Sequence, residues 1–117
     1  MPRAGRIYID EGVFHVMARG NNKQPIFHDV RDFITYKETL SRLKDEQPFK
    51  LYHYCLMTNH IHMIIETNEN TELSKLMKRI SLSYYHHYKK RYGYSGHFWR
   101  DRFKSLLIEK DSHLLAC

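Results

Sequence analysis

An α+β domain with the element order βαββαβ is predicted for this 117-residue chain. Three features of the sequence predict it. Four short runs are rich in β-branched and aromatic residues, two longer stretches repeat apolar residues at helical spacing, and turn-forming residues separate them. The first strand is Val-Phe-His-Val-Met-Ala-Arg, residues 13–19, stopped by Gly20-Asn21-Asn22. Asp29 is placed to cap a helix over residues 29–46, with Val30, Phe33, Ile34, Leu40 and Leu43 as its apolar positions, Asp32 in its first turn and Pro48 beyond its end. Residues 49–57 and 61–67 are two strand-like runs separated by Thr58-Asn59-His60, a β-hairpin. Leu73, Leu76, Met77, Ile80 and Tyr84 recur at three and four, marking a second helix that Gly93 stops. Residues 103–108 read as the last strand. This order is the ferredoxin-like arrangement, an antiparallel sheet with two packed helices. In the tail, residues 111–117, Asp111 or Ser112 can cap the start of a third C-terminal helix, with Leu114 and Leu115 in its first turn.

The length fits a single domain, 1–117. Hydrophobic residues at 42% and aromatics at 14% are enough for a core without disulfides. The two cysteines, Cys55 and Cys117, form no Cys-x-x-Cys knuckle, and no charged-then-apolar leader is recognisable, so a reducing cytoplasm is the expected setting. The longest uncharged apolar run, around residues 61–65, is too short for a membrane span. Nineteen Lys and Arg against 13 Asp and Glu leave a net charge of +6. Such a surplus attracts polyanions, of which nucleic acid is the commonest.

The sharpest local feature is Thr58-Asn59-His60-Ile61-His62. Side chains alternate along a strand, so His60 and His62 project on one side, close enough to share an ion. Two imidazoles completed by an amide or carboxylate oxygen suit Mn or Mg better than structural zinc, while two hydrogen-bonded strand histidines are the plainer alternative. Arg100, Arg102 and Lys104 alternate before the last strand and form a cationic ladder if extended. Phe98, Trp99 and Phe103 interleave with them, either to stack unpaired bases or as core residues. The second helix carries Lys75, Lys78, Arg79, Lys89, Lys90 and Arg91 and the run Tyr84-Tyr85-His86-His87-Tyr88. A tyrosine hydroxyl can attack a phosphate polarised by a metal ion, although most helical tyrosines pack with a wet tip. His15 and His53 lie on strands and read as structural or rim residues.

Four segments taken together resemble the HUH single-strand transposases, in the branch of the REP-associated tyrosine transposases. They are Tyr8-Ile9 through His15-Val16-Met17-Ala18-Arg19-Gly20-Asn21, then Gln24-Pro25-Ile26-Phe27, then Tyr54-Cys55-Leu56-Met57-Thr58-Asn59-His60-Ile61-His62, and finally Gly96-His97-Phe98-Trp99-Arg100-Asp101-Arg102-Phe103-Lys104-Ser105 with Glu109-Lys110-Asp111. The resemblance implies that His60 and His62 bind a divalent metal ion, Mg or Mn, and that a tyrosine attacks a DNA phosphate, leaving a 5′-phosphotyrosine and a free 3′-hydroxyl. It also implies single-stranded or hairpin DNA as the partner and a homodimer as the working form. Arg19, Asn21, Asn22, Arg100, Arg102 and Lys104 are the residues expected to grip that DNA. In such enzymes the nucleophile sits in a motif Tyr-Ile-x-x-Asn-Pro after the last strand, whose Asn is the third metal contact. That motif would fall beyond Cys117, so this stretch of chain is expected to be catalytically incomplete. It reads as a fragment, a transposon remnant or a non-catalytic DNA-hairpin binding module. Tyr84, Tyr85 and Tyr88 are the substitutes the chain itself offers, and packing of the second helix on the sheet disfavours them. A structural zinc site adding His53, His86 or His87 to the pair is the remaining alternative.

Overall fold

The computed structural model describes residues 12–67, 72–100 and 103–109. Strand β1 (Gly12–Arg19) leads through a single 3-10 turn (Asn21–Lys23) to helix α1 (Val30–Glu46). Strands β2 (Lys50–Leu56) and β3 (His60–Thr67) form the hairpin, followed by helix α2 (Leu73–Tyr92) and strand β4 (Lys104–Glu109). The sheet order is β2-β3-β1-β4, and each neighbouring pair is antiparallel. This is the predicted ferredoxin-like α+β fold. The Asp111 to Cys117 tail, with its expected third helix, and Arg102 lie outside the described residues.

The ends of the helices follow from local chemistry. Asp29 accepts hydrogen bonds from the backbone N–H groups of Arg31 and Asp32, satisfying orphan donors of the first turn of α1. Gly93 closes α2 at φ 66°, the left-handed conformation that glycine adopts without a Cβ clash, and its N–H bonds to the Lys89 carbonyl.

Alternation in β3 separates the two faces of the sheet. Ile61, Met63 and Ile65 are buried while His60, His62, Ile64 and Glu66 are half-buried. The buried set packs with Phe14, Val16 and Ala18 of β1, Tyr36, Leu40 and Leu43 of α1, and Leu76, Met77, Ile80 and Tyr84 of α2. Both helices therefore cover one face, and the histidines stand on the other.

Helix α1 turns Phe33, Leu40 and Leu43 to the core as expected, but not Val30 and Ile34. Val30 is 67% exposed and Ile34 47% exposed, whereas Asp32, Tyr36, Thr39, Leu40 and Leu43 face inward. The reason is electrostatic. The fully buried Asp32 carboxylate accepts bonds from Arg91 at 2.8 Å, His87 at 2.8 Å and Tyr92 at 2.6 Å, all on α2, and from the His28 backbone N–H at 2.9 Å. That anchor holds Asp32 inward, and apolar spacing alone did not reveal it.

Of the expected cationic ladder before β4, only Arg100 and Lys104 fall among the described residues. Gly20 and Trp99 form an isolated bridge, Arg100 lies in a bend, and regular pairing begins only at Lys104. Phe98 is buried, and the indole N–H of Trp99 donates to the Ser81 carbonyl at 2.9 Å. Both belong to the packing under α2.

Candidate metal centre on the open sheet face

The face of the sheet away from the helices is organised in cross-strand rows. In antiparallel pairing, residues opposite one another point the same way. Arg19 of β1 pairs with His60 of β3, Met17 pairs with His62, and His15 pairs with Ile64. On the outer side of β3, Cys55 of β2 pairs with His62 and His53 with Ile64. Beyond β1, Lys104 of β4 pairs with Met17. One row thus reads Lys104, Met17, His62, Cys55 across all four strands, and the next places Arg19 beside His60.

His60 and His62 lie with ring centroids 4.8 Å apart and planes at 84°. His60 Nδ1 is 2.8 Å from Asn59 Oδ1, and His62 Nδ1 is 3.2 Å from Nε2 of His15. Burial holds the His62 pKa below the ordinary histidine value, and the neighbouring His60, His15 and Arg19 lower it further. A neutral imidazole is the form that carries a lone pair to a metal. The pair fits half of a divalent-ion site: two imidazole nitrogen donors two residues apart on one strand. Among the described residues no three His, Cys, Asp or Glu side chains are arranged to hold an ion.

The loop that carries Asn59 is fastened from two sides. The Gly20 N–H donates to the Asn59 carbonyl at 2.9 Å, and the Ile26 N–H donates to the Thr58 carbonyl at 2.7 Å. The same crossing segment receives the chain before β4, through Asn21 N–H to the Phe98 carbonyl at 2.8 Å and Arg100 N–H to the Arg19 carbonyl at 2.9 Å. Arg19, Asn21, Asn22 and Arg100 are thereby gathered at the His60 end of the sheet. Arg19, Asn22, Arg100 and Lys104 are exposed, and Asn22 adopts a left-handed φ of 53°.

The tyrosines of α2 stand on the opposite layer. Tyr84 is fully buried and its hydroxyl donates to the Ile26 carbonyl. The Tyr88 hydroxyl lies 2.7 Å from His28 Nε2, and Tyr85 packs against Phe98. Burial raises the pKa of Tyr84 and of Tyr88 above the usual phenol value. Both hydroxyls are thus engaged by the segment that joins β1 to α1. His87 is likewise on α2 and bound to Asp32. Of the α2 cations, Arg79 reaches Glu46 and Arg91 reaches Asp29 and Asp32.

Two residues on the histidine face were not anticipated in a site role. His15 touches His62, and its alternation with Val16 was the available signal. Tyr52 of β2 hydrogen-bonds Glu66 through its hydroxyl; the bulge between Leu51 and His53, which brings it there, leaves no mark in the residue pattern.

Comparison with known proteins agrees with this architecture. One solved structure, of a REP-associated tyrosine transposase bound to a REP hairpin, superposes with a TM-score of 0.75 at 16% identity over 99% of this chain and 67% of that one. A crystal structure from Deinococcus radiodurans R1, of a protein described as a transposase, gives 0.68 at 13% identity over 97% of this chain and 90% of that one. No curated protein matches the chain. The sequence profile of the family described as "Transposase IS200 like" matches residues 9–116. With that match spanning nearly the whole sequence, the chain belongs to the IS200-like transposase family.

Proposed function

We propose that this transposase-family chain grips single-stranded or hairpin DNA on the open face of its sheet, with His60 and His62 as the metal-holding half of a strand-cleaving site. The observation that carries the reading is the pair of adjacent imidazoles, with Arg19 paired to His60 and Lys104 in the row of His62. Imidazoles offer lone pairs to Mg2+ or Mn2+, and such an ion polarises a phosphate for attack. Arg19 and Lys104 supply positive charge where a DNA phosphate would lie against the histidines, and Asn21, Asn22, Arg100 and Arg102 extend the grip toward the flanking nucleotides. A solved relative in fold binds a DNA hairpin, which supports hairpin DNA as the substrate class. We assign the attack on phosphate to a tyrosine outside α2, since Tyr84, Tyr85 and Tyr88 belong to the helix layer. The expected Tyr-Ile-x-x-Asn-Pro motif provides that tyrosine and an amide oxygen for the third metal contact. Two copies acting together in the cytoplasm complete the reading.

The test is fluorescence anisotropy of a labelled DNA hairpin and of a duplex of the same sequence, with Mn2+ or with chelator, alongside Mn2+ titration of the protein alone. The reading expects preference for the hairpin, affinity that falls steeply with salt, and Mn2+ binding weakened in His60→Ala. Equal affinity for random duplex, or Mn2+ binding indifferent to His60→Ala, would overturn it. A second reading, a hairpin-binding module that needs no metal, draws on the exposed Arg19, Arg100 and Lys104, which offer phosphate contacts without an ion. It expects hairpin affinity untouched by chelator and by His62→Ala but weakened by Arg102→Ala.

A further inference from the structure

The contact between His15 and His62 has a geometry that constrains protons. The two ring planes differ by 3° with centroids 5.2 Å apart, while His15 Nε2 and His62 Nδ1 are separated by 3.2 Å. Most of the centroid separation is taken up along the line joining the two nitrogens. The rings therefore meet edge to edge, as an N–H···N hydrogen bond requires. Between neutral imidazoles one nitrogen must donate and the other accept.

We infer that His15 is a positioning residue, which accepts the Nδ1 proton of His62 and so holds that imidazole with its Nε2 lone pair unprotonated and aimed away from β1. The neighbouring contact works the same way. Asn59 Oδ1, 2.8 Å from His60 Nδ1, can only accept, so His60 carries its proton on Nδ1 and also keeps an Nε2 lone pair. Two imidazoles on one strand then present matching Nε2 donors before any ion arrives. A metal-binding histidine needs such a partner on its far nitrogen to fix tautomer and ring orientation. Here the partner of His62 is a third histidine, from the adjacent strand. The opposite proton placement, His15 donating to His62 Nδ1, would put the His62 proton on Nε2 and close that nitrogen to metal. The role of His15 rests on the metal reading of His60 and His62, but the proton position does not.

The decisive experiment is a two-bond 1H–15N correlation spectrum of the histidine-labelled, metal-free protein, at a pH where the rings are neutral. The expected result is His60 and His62 both protonated on Nδ1, the tautomer that free histidine disfavours. His62 protonated on Nε2, or averaged between tautomers, would overturn the inference. Mn2+ titration adds a second arm. His15→Leu, which removes the acceptor, is expected to weaken Mn2+ binding by roughly tenfold or more. His15→Gln keeps an acceptor oxygen and is expected to recover most of that affinity, with circular dichroism confirming that both variants fold. Equal affinity in wild type and a folded His15→Leu protein would also overturn the role. A wild-type chain that bound no Mn2+ would instead remove the metal reading, and the spectrum would still decide where the His62 proton sits.

Discussion

Arg19 on β1 and His60 on β3 are direct partners across the central ladder of the sheet, on the face that the helices leave open. A guanidinium in that position raises the local positive potential beside the histidine pair, which favours a phosphate and opposes a bare cation. Arg19→Ala is therefore expected to weaken hairpin binding and to lower the salt dependence of the binding constant by about one unit of slope. Mn2+ affinity measured without DNA is expected to rise slightly rather than fall, because a like charge has been removed. Anisotropy at several salt concentrations and Mn2+ titration check the two signs, and Lys104→Ala is expected to shift both quantities the same way.

His60→Ala and His62→Ala are each expected to reduce Mn2+ affinity by roughly tenfold or more. Neither side chain belongs to the buried cluster, so the thermal midpoint is expected to move little. A large loss of stability in both variants, without a change in metal affinity, would assign the pair a packing role instead.

The carboxyl of Asp32 sets an acid limit on the fold. Burial by itself would raise its pKa, but hydrogen bonds from Tyr92, His87, the His28 backbone N–H and Arg91 outweigh burial and hold it at about 2, against 3.8 ordinarily. A depressed carboxyl pKa contributes stability that is fully present above the unfolded value and is lost as pH falls through the folded one. Urea midpoints are expected to be flat from neutral pH to about 4 and to drop between about 4 and 2, with a total loss of about 2 kcal/mol from this group. Asp32→Asn is expected to lower the midpoint at pH 7 and to flatten that acid limb.

Tyr84→Phe removes a buried hydroxyl that donates to the Ile26 carbonyl and leaves that carbonyl without this bond. A loss of about 1 kcal/mol is expected from thermal or urea unfolding, with Mn2+ and hairpin affinity unchanged. An effect on DNA cleavage with no effect on stability would mean that the α2 tyrosine reaches the chemistry after all.

Gly20 is required by space rather than by its backbone angle. A Cβ there would lie 2.6 Å from the Gln24 carbonyl oxygen and 2.9 Å from Ile26 Cγ2. Gly20→Ala is expected to cost about 1–3 kcal/mol and to loosen the segment that ties Asn59 to β1, so that hairpin affinity falls along with the unfolding midpoint.

Much of the fold could be read from residue order because it depends on local rules. Runs rich in β-branched, aromatic and other apolar residues, bounded by turn residues, marked β1 and β3, Asp29 marked the start of α1, and Gly93 marked the end of α2, each through chemistry spanning only a few positions. The inward turn of Asp32 in α1, with Val30 and Ile34 left exposed, could not be read in this way. It depends on Asp32 meeting three α2 side chains that lie 55 to 60 residues further along the chain.

The same division runs through the candidate site. The sequence by itself determined that His60 and His62 share a face, because a period of two admits no other arrangement on a strand, and the family resemblance turned that pair into a metal expectation. Only the tertiary structure decided what stands around them. Pairing register brought Arg19, His15 and Cys55 alongside the histidines, and the sheet put Tyr84, Tyr85 and Tyr88 on the opposite layer. Register and layer are set by burial of the apolar face against both helices, a balance over the whole core that no local stretch of residues carries.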